Sequence, residues 1–153
     1  MLETPHVAVG AAIATKIPNP WIALPLAFAS HFVLEKIPHW NPHINTELKK
    51  NGKLSSNSKA VIATDVVLAL FTGFTIANQA LPNTAHFWTI IFASFFAVLP
   101  DLIEGPYFFL GVKNKFLNAW VKFQKSLQAD TDILPGLATQ LATFVAAIAW
   151  VFN

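Results

Sequence analysis

Five long runs of apolar residues dominate this chain, and they leave little room for a water-soluble fold. They cover about residues 4–17, 20–39, 59–80, 85–111 and 133–152. Charged residues make up only 12% of the chain, against roughly a quarter in an ordinary soluble domain. The pattern predicts an all-α fold: an integral membrane bundle of about five hydrophobic helices with one amphipathic interfacial helix. At 153 residues the chain reads as one domain. No basic leader precedes the first run, so a cleavable signal peptide is not expected. With no cysteine present, disulfide frameworks and thiolate metal sites are excluded.

The breaks between runs carry their own signals. Pro18 and Pro20 mark a tight turn, because proline suits a turn or a first helical position and not a helix interior. The first two runs are therefore expected to form an antiparallel hairpin. The first is short for a full span and is expected to be partly re-entrant. Residues 41–58 read as a polar loop. Ser58 is the expected cap of the third helix, and Asn83 or Thr84 of the fourth. Pro100 and Pro106 predict a kink or break near the end of the fourth. In residues 114–130, Phe116, Trp120, Phe123 and Leu127 recur at helical spacing opposite Lys115, Asn118, Lys122 and Lys125, the pattern of a helix lying on a membrane surface.

All ten basic side chains are lysines. If the runs alternate across a bilayer, only Lys16 falls on one side and the rest on the other. Positive charge stays cytoplasmic, which places the N-terminus and the long polar loop in the cytoplasm of a multi-pass cell-membrane protein. The same placement makes the small net positive charge a topology signal, so nucleic acid is not an expected partner.

Ionisable residues collect at one depth. His6 lies 12 residues before Pro18 and His31 lies 13 after it, about 18 and 20 Å from the turn at ~1.5 Å per residue. Glu35 and His39 continue from His31 at a spacing of four, one stripe on a continuing helix. Asp65 falls in the second turn of the third run, and Asp101 and Glu104 close the fourth. Four of the eight carboxylates thus share a layer with three histidines. Carboxylates so grouped repel and become protonated unless a cation holds them. Histidine with carboxylate and no sulfur suits Zn²⁺ best, with Mn²⁺, Fe²⁺ or Mg²⁺ as alternatives. His6, His31, Glu35, His39 and Asp101 are the expected metal ligands. Asp65 or Glu104 is the expected general base or ligand to a second ion. His43 and His86 fall outside the layer.

No G-x-S-x-G, P-loop or H-E-x-x-H motif is present. Three short stretches, "TPHVAVGAAIA", "SHFVLEKIPHWN" and "VLPDLIEGP", resemble small prokaryotic membrane-bound metal-dependent hydrolases. Those proteins carry an early His, an H-x-x-x-[DE]-x-x-P-H run and an L-P-D segment. The resemblance implies metal ligation by His6, His31, Glu35, His39, Asp101 and Glu104. The chain departs from the pattern in lacking an H-[RK]-G-x-T-H-S motif after L-P-D, and in carrying Glu35 and Asn41 where aspartates stand. A site at the headgroup level with a lysine-rich rim favours a lipid-linked phosphate ester as substrate, with membrane lipid as its surroundings. The alternative is a non-enzymatic metal-binding or ion-conducting protein, for which Thr72, Thr75, Asn78 and Gln79 are the only continuous polar path.

Overall fold

A computed structural model describes all 153 residues. It contains seven helices and no strand: α1 (Glu3–Lys16), α2 (Pro20–Leu34), α3 (Ile44–Asn51), α4 (Ser56–Asn78), α5 (Thr84–Phe109), α6 (Lys115–Leu127) and α7 (Ile133–Phe152). Three of them, α4, α5 and α7, are long and apolar enough to cross a membrane. The expected bundle of about five hydrophobic helices comprises these three plus two shorter ones, of which only the first was expected to be short. α1 has 14 residues, about 21 Å, and α2 has 15, about 22 Å, both short of a hydrocarbon core of roughly 30 Å.

The shortness of α1 follows from its place. It packs against α2, α4, α5 and α7, so its length is matched to protein neighbours and not to lipid. A helix surrounded on all sides must be small or apolar all round, and Ala8, Ala11, Ala12 and Ala14 are completely buried. Gly10 is the closest approach: a Cβ there would lie 2.7 Å from the Ala97 Cβ and 2.8 Å from the Ala93 carbonyl oxygen. Backbone cannot yield as a side chain can, so Gly10→Val is expected to destabilise the bundle by about 1–3 kcal/mol of overpacking. Thermal unfolding in detergent reads the loss, and an unchanged midpoint would show that α1 and α5 can separate freely.

Large apolar side chains lie outside. Trp21, Phe71, Leu110 and Leu134 are at least 70% exposed, while the core is mostly alanine. In water such a surface is an association liability. In lipid it is matched to its solvent, and the interior is free to use small and polar residues.

Helix ends show where local chemistry acted. Asn19 accepts from the Trp21 N–H at 3.0 Å with Pro20 at the first helical position of α2, which starts the second helix directly after the first. Asn83 caps α5 through the His86 N–H at 3.1 Å. For α4 the cap is Ser55, which accepts from the Ser58 N–H at 3.2 Å, so the helix begins before the expected Ser58. The polar stretch before it is not wholly loop. α3 forms there, ends at Gly52 with φ +65°, and is fastened to α4 by Glu47, whose carboxylate accepts from the Ser55 N–H at 2.9 Å and the Ser58 hydroxyl at 2.7 Å. α5 is unbroken through Pro100 and Pro106. The expected break does not occur: the helix runs on to Phe109 with packed neighbours beside it. One such neighbour is the amphipathic helix α6, whose Trp120 indole N–H donates to the Pro100 carbonyl at 3.0 Å.

The second run ends earlier than its hydrophobicity suggests. α2 stops at Leu34 and Glu35 is its C-cap. Proline disfavours helical backbone in the residue before it, and Pro38 turns the chain off the helix. His39 therefore does not continue a helical stripe. It is held in extended backbone, where its N–H donates to Ala129 and its carbonyl accepts from Thr131, both at 3.0 Å.

Candidate metal centre

Three helices bring His6, His31 and Asp101 together. One potential ligand atom of each lies within 4.8 Å of the other two. The imidazoles of His6 and His31 stack at 4.2 Å between centroids, so the two positions matched by counting from the Pro18 turn meet face to face. Both histidines are fully buried. Asp101 reaches them from α5, with its Oδ1 3.5 Å from the His31 Nε2.

The hydrogen bonds define which nitrogens carry protons. A carbonyl only accepts, so His31, 2.9 Å from the Ala97 oxygen through Nδ1, donates there and leaves a lone pair on Nε2. That lone pair and Asp101 Oδ1 both face one electropositive group, the Gln124 side-chain amide, at 3.2 Å each. His6 donates Nε2–H to Glu35 Oε1 at 3.3 Å. Its Nδ1 is then a buried acceptor with no partner, a costly state for a polar atom. Imidazole and carboxylate together suit a divalent cation, and each histidine has one ring nitrogen anchored to a carbonyl or carboxylate, which fixes its tautomer.

Glu35 and His39, placed by sequence among the ligands, are not in the close group of three. Glu35 stands behind His6, and its Oε1 also receives the amino group of Met1. His39 lies 3.7 Å from Glu35 Oε2 and its Nε2 is 2.8 Å from the Met1 nitrogen. Its Nδ1–H donates to the Ile37 carbonyl at 2.8 Å, which again leaves Nε2 as the lone-pair nitrogen. Glu35 still makes the helical N–H bond to the His31 carbonyl at 3.0 Å, whereas His39 lies beyond the end of α2 and no longer advances along the face that carries His31.

Asp65 serves the fold directly. Its carboxylate accepts from the Glu3 N–H at 2.6 Å, the Thr4 N–H at 3.1 Å and the Thr4 hydroxyl at 2.7 Å. These are free amides at the start of α1, and Leu2, its own N-cap, supplies no side-chain bond. Asp65 thus caps α1 from a different helix. Glu104, one turn beyond Asp101 on α5, lines the same cavity as Asp101, and its Oε1 is buried without a partner. His43 lies at the start of α3 and His86 bonds the Ala14 carbonyl at 3.0 Å, both away from the three.

Two glutamines complete the site and were not singled out by sequence reasoning. Gln124 is 2% exposed and Gln140 is 3% exposed. Gln140 accepts from the Leu2 N–H at 2.7 Å and donates to the Trp40 carbonyl at 2.8 Å, tying α7 to the layer. A signal existed for Gln124, which sits four residues after Trp120 on the apolar face of an amphipathic helix. A polar residue in that stripe must find a buried partner. Comparison with known proteins finds no match among family models, curated proteins or solved structures.

Proposed function

We propose that this chain is a membrane-embedded, metal-dependent hydrolase whose centre is His6, His31 and Asp101, opening on the cytoplasmic side and acting on a lipid-linked phosphate ester. The observation that carries the reading is the convergence of His6, His31 and Asp101 from three helices, with one potential ligand atom of each within 4.8 Å of the others. The donor set of imidazole and carboxylate without sulfur favours Zn²⁺, with Mn²⁺, Fe²⁺ or Mg²⁺ also accommodated. Bound there, such an ion supplies Lewis acidity and lowers the pKa of an attacking water.

The chain's own residues do the rest. Glu35 orients His6, and the Ala97 carbonyl orients His31. Glu104, with a free carboxylate oxygen near Asp101, is placed to take a proton from the attacking water. Asp65, with both oxygens engaged at the start of α1, is left to structure. The proposed cytoplasmic orientation rests on the lysines, all of which but Lys16 fall on the site's side if the apolar runs alternate across a bilayer, and such a rim favours an anionic headgroup.

Elemental analysis of the purified protein, followed by phosphate release from phosphatidate and polyprenyl phosphate, tests the proposal. Glu104→Gln is expected to keep the metal and lose about 10²–10⁴-fold in turnover, the usual contribution of a general base. Full turnover in that variant would remove Glu104 from the role. Protein free of stoichiometric metal would remove the centre.

A further inference from the structure

Beside the His6–His31–Asp101 group lies a cavity of about 590 Å³, within the range of small-molecule sites. It has two unlike halves. Towards the group it is lined by Glu3, Asp101 and Glu104, and Glu3 Oε2 and Glu104 Oε1 are buried there without partners. Away from it the walls are apolar. Val66, Leu70 and Phe74 of α4 form one side and Ile91, Phe95 and Val98 of α5 the other. Val7 of α1 also lines it, and Gly73 lets α4 close down on α1, since a Cβ there would lie 3.3 Å from the Val7 Cγ1 and 3.4 Å from the Ser94 hydroxyl.

The apolar half is open to the side. Val66, Leu70, Phe74 and Phe95 are between 43% and 59% exposed, and they belong to two helices long and apolar enough to cross a membrane. The medium they meet is therefore hydrocarbon. From Ile62 to Phe74, both on the cavity wall, α4 advances about 18 Å at ~1.5 Å per residue, slightly more than half of a hydrocarbon core of roughly 30 Å. That is the reach of a chain from one leaflet. Lys125 also lines the cavity, next in sequence to the Gln124 that bonds Asp101, and offers a positive charge to an anion.

We infer that the α4–α5 groove takes a single hydrocarbon chain of a phosphate-bearing membrane lipid, admitted sideways from the bilayer, and so delivers its phosphate to the His6–His31–Asp101 centre. The inference rests on the metal centre proposed above and specifies its substrate: one chain joined to a phosphate monoester. The groove supplies affinity along the chain, and the polar end supplies the position of the phosphorus.

Ala69 lines the groove and is 6% exposed, whereas Val67 on the same helix is 65% exposed and lies outside it. In metal-loaded full-length protein in phosphatidylcholine nanodiscs, 1-oleoyl lysophosphatidate is expected to bind saturably. Ala69→Trp should weaken that binding at least about tenfold, because it keeps several methylenes out of the groove. Val67→Trp should leave it unchanged, and glycerol 3-phosphate, which has no chain, should bind both variants and the parent alike. Metal-loaded Ala69→Trp that binds the lipid as the parent does overturns the groove and leaves the metal centre standing. Parent protein without metal overturns the centre and, with it, the delivery of the phosphate. Should Ala69→Trp not fold, a photoactivatable chain on the same lipid decides with the parent protein. Labelling of α4 and α5 wall residues supports the groove, and labelling only of outward residues such as Trp21 or Leu134 overturns it.

Discussion

Replacing His31 with alanine is expected to weaken divalent-metal binding by more than about a hundredfold. Loss of a group that merely orients a ligand costs about 10–100-fold, and His31 offers its Nε2 lone pair directly to the site. The imidazole is completely buried and its tautomer is fixed by the Ala97 carbonyl, so no other rotamer or ring nitrogen substitutes for it. Asp101→Ala should act in the same direction, since its Oδ1 faces the same point. His86→Ala is the control, because that ring bonds Ala14 far along the chain from the group. Metal titration of chelator-stripped protein, read by elemental analysis and competition, gives the values. Equal affinities in the His31 and His86 variants would place any bound metal elsewhere in the molecule.

Asp65→Ala is expected to cost about 2–4 kcal/mol of stability. A lost helix cap costs ~0.5–2 kcal/mol, and each buried donor left without an acceptor adds about 1–3 kcal/mol. Asp65 satisfies the Glu3 and Thr4 amides together with the Thr4 hydroxyl and is only 7% exposed. Asp65→Asn keeps one carbonyl oxygen and should recover part of the loss. The pair of variants also separates structure from chemistry. A capping residue yields graded stability with metal content retained in both, whereas a catalytic base would lose turnover in Asp65→Asn at unchanged stability. Chemical denaturation in mixed micelles measures the first and phosphate release the second.

How much of this was readable in advance differs residue by residue. His6 and His31 could be paired from the chain alone, because proline positions fix a turn and helices rise by a constant amount per residue. Asp101 could be added because its run returns from the opposite side. Glu35 and His39 were expected among the ligands on one helical stripe; Glu35 keeps its helical bond to the His31 carbonyl, but His39 leaves the stripe because the helix ends at Leu34. Pro38 was the available signal, and the spacing of four from His31 through Glu35 to His39 obscured it. Asp65 was read as a reactive group because an acid near a membrane-buried layer is functional by default; that its partner is the start of another helix is a contact between residues 62 apart. Gln124 pairs with His31 across 93 positions, and nothing local to either residue encodes that distance.

The sequence by itself determined that this chain is helical, that its outer surface is apolar, and that its acids and histidines gather towards one end. Those properties follow from the local chain: hydrophobic runs, proline breaks and a constant helical rise. Only the tertiary structure decided that α1 is the centre of the bundle, that Asp65 caps it, and that three residues of the layer converge while Glu35 and His39 stand behind. Each of these depends on which helices touch, and that is set by small residues such as Gly10 and Gly73 permitting close approach. A glycine announces that something comes near. It takes the packed fold to say what.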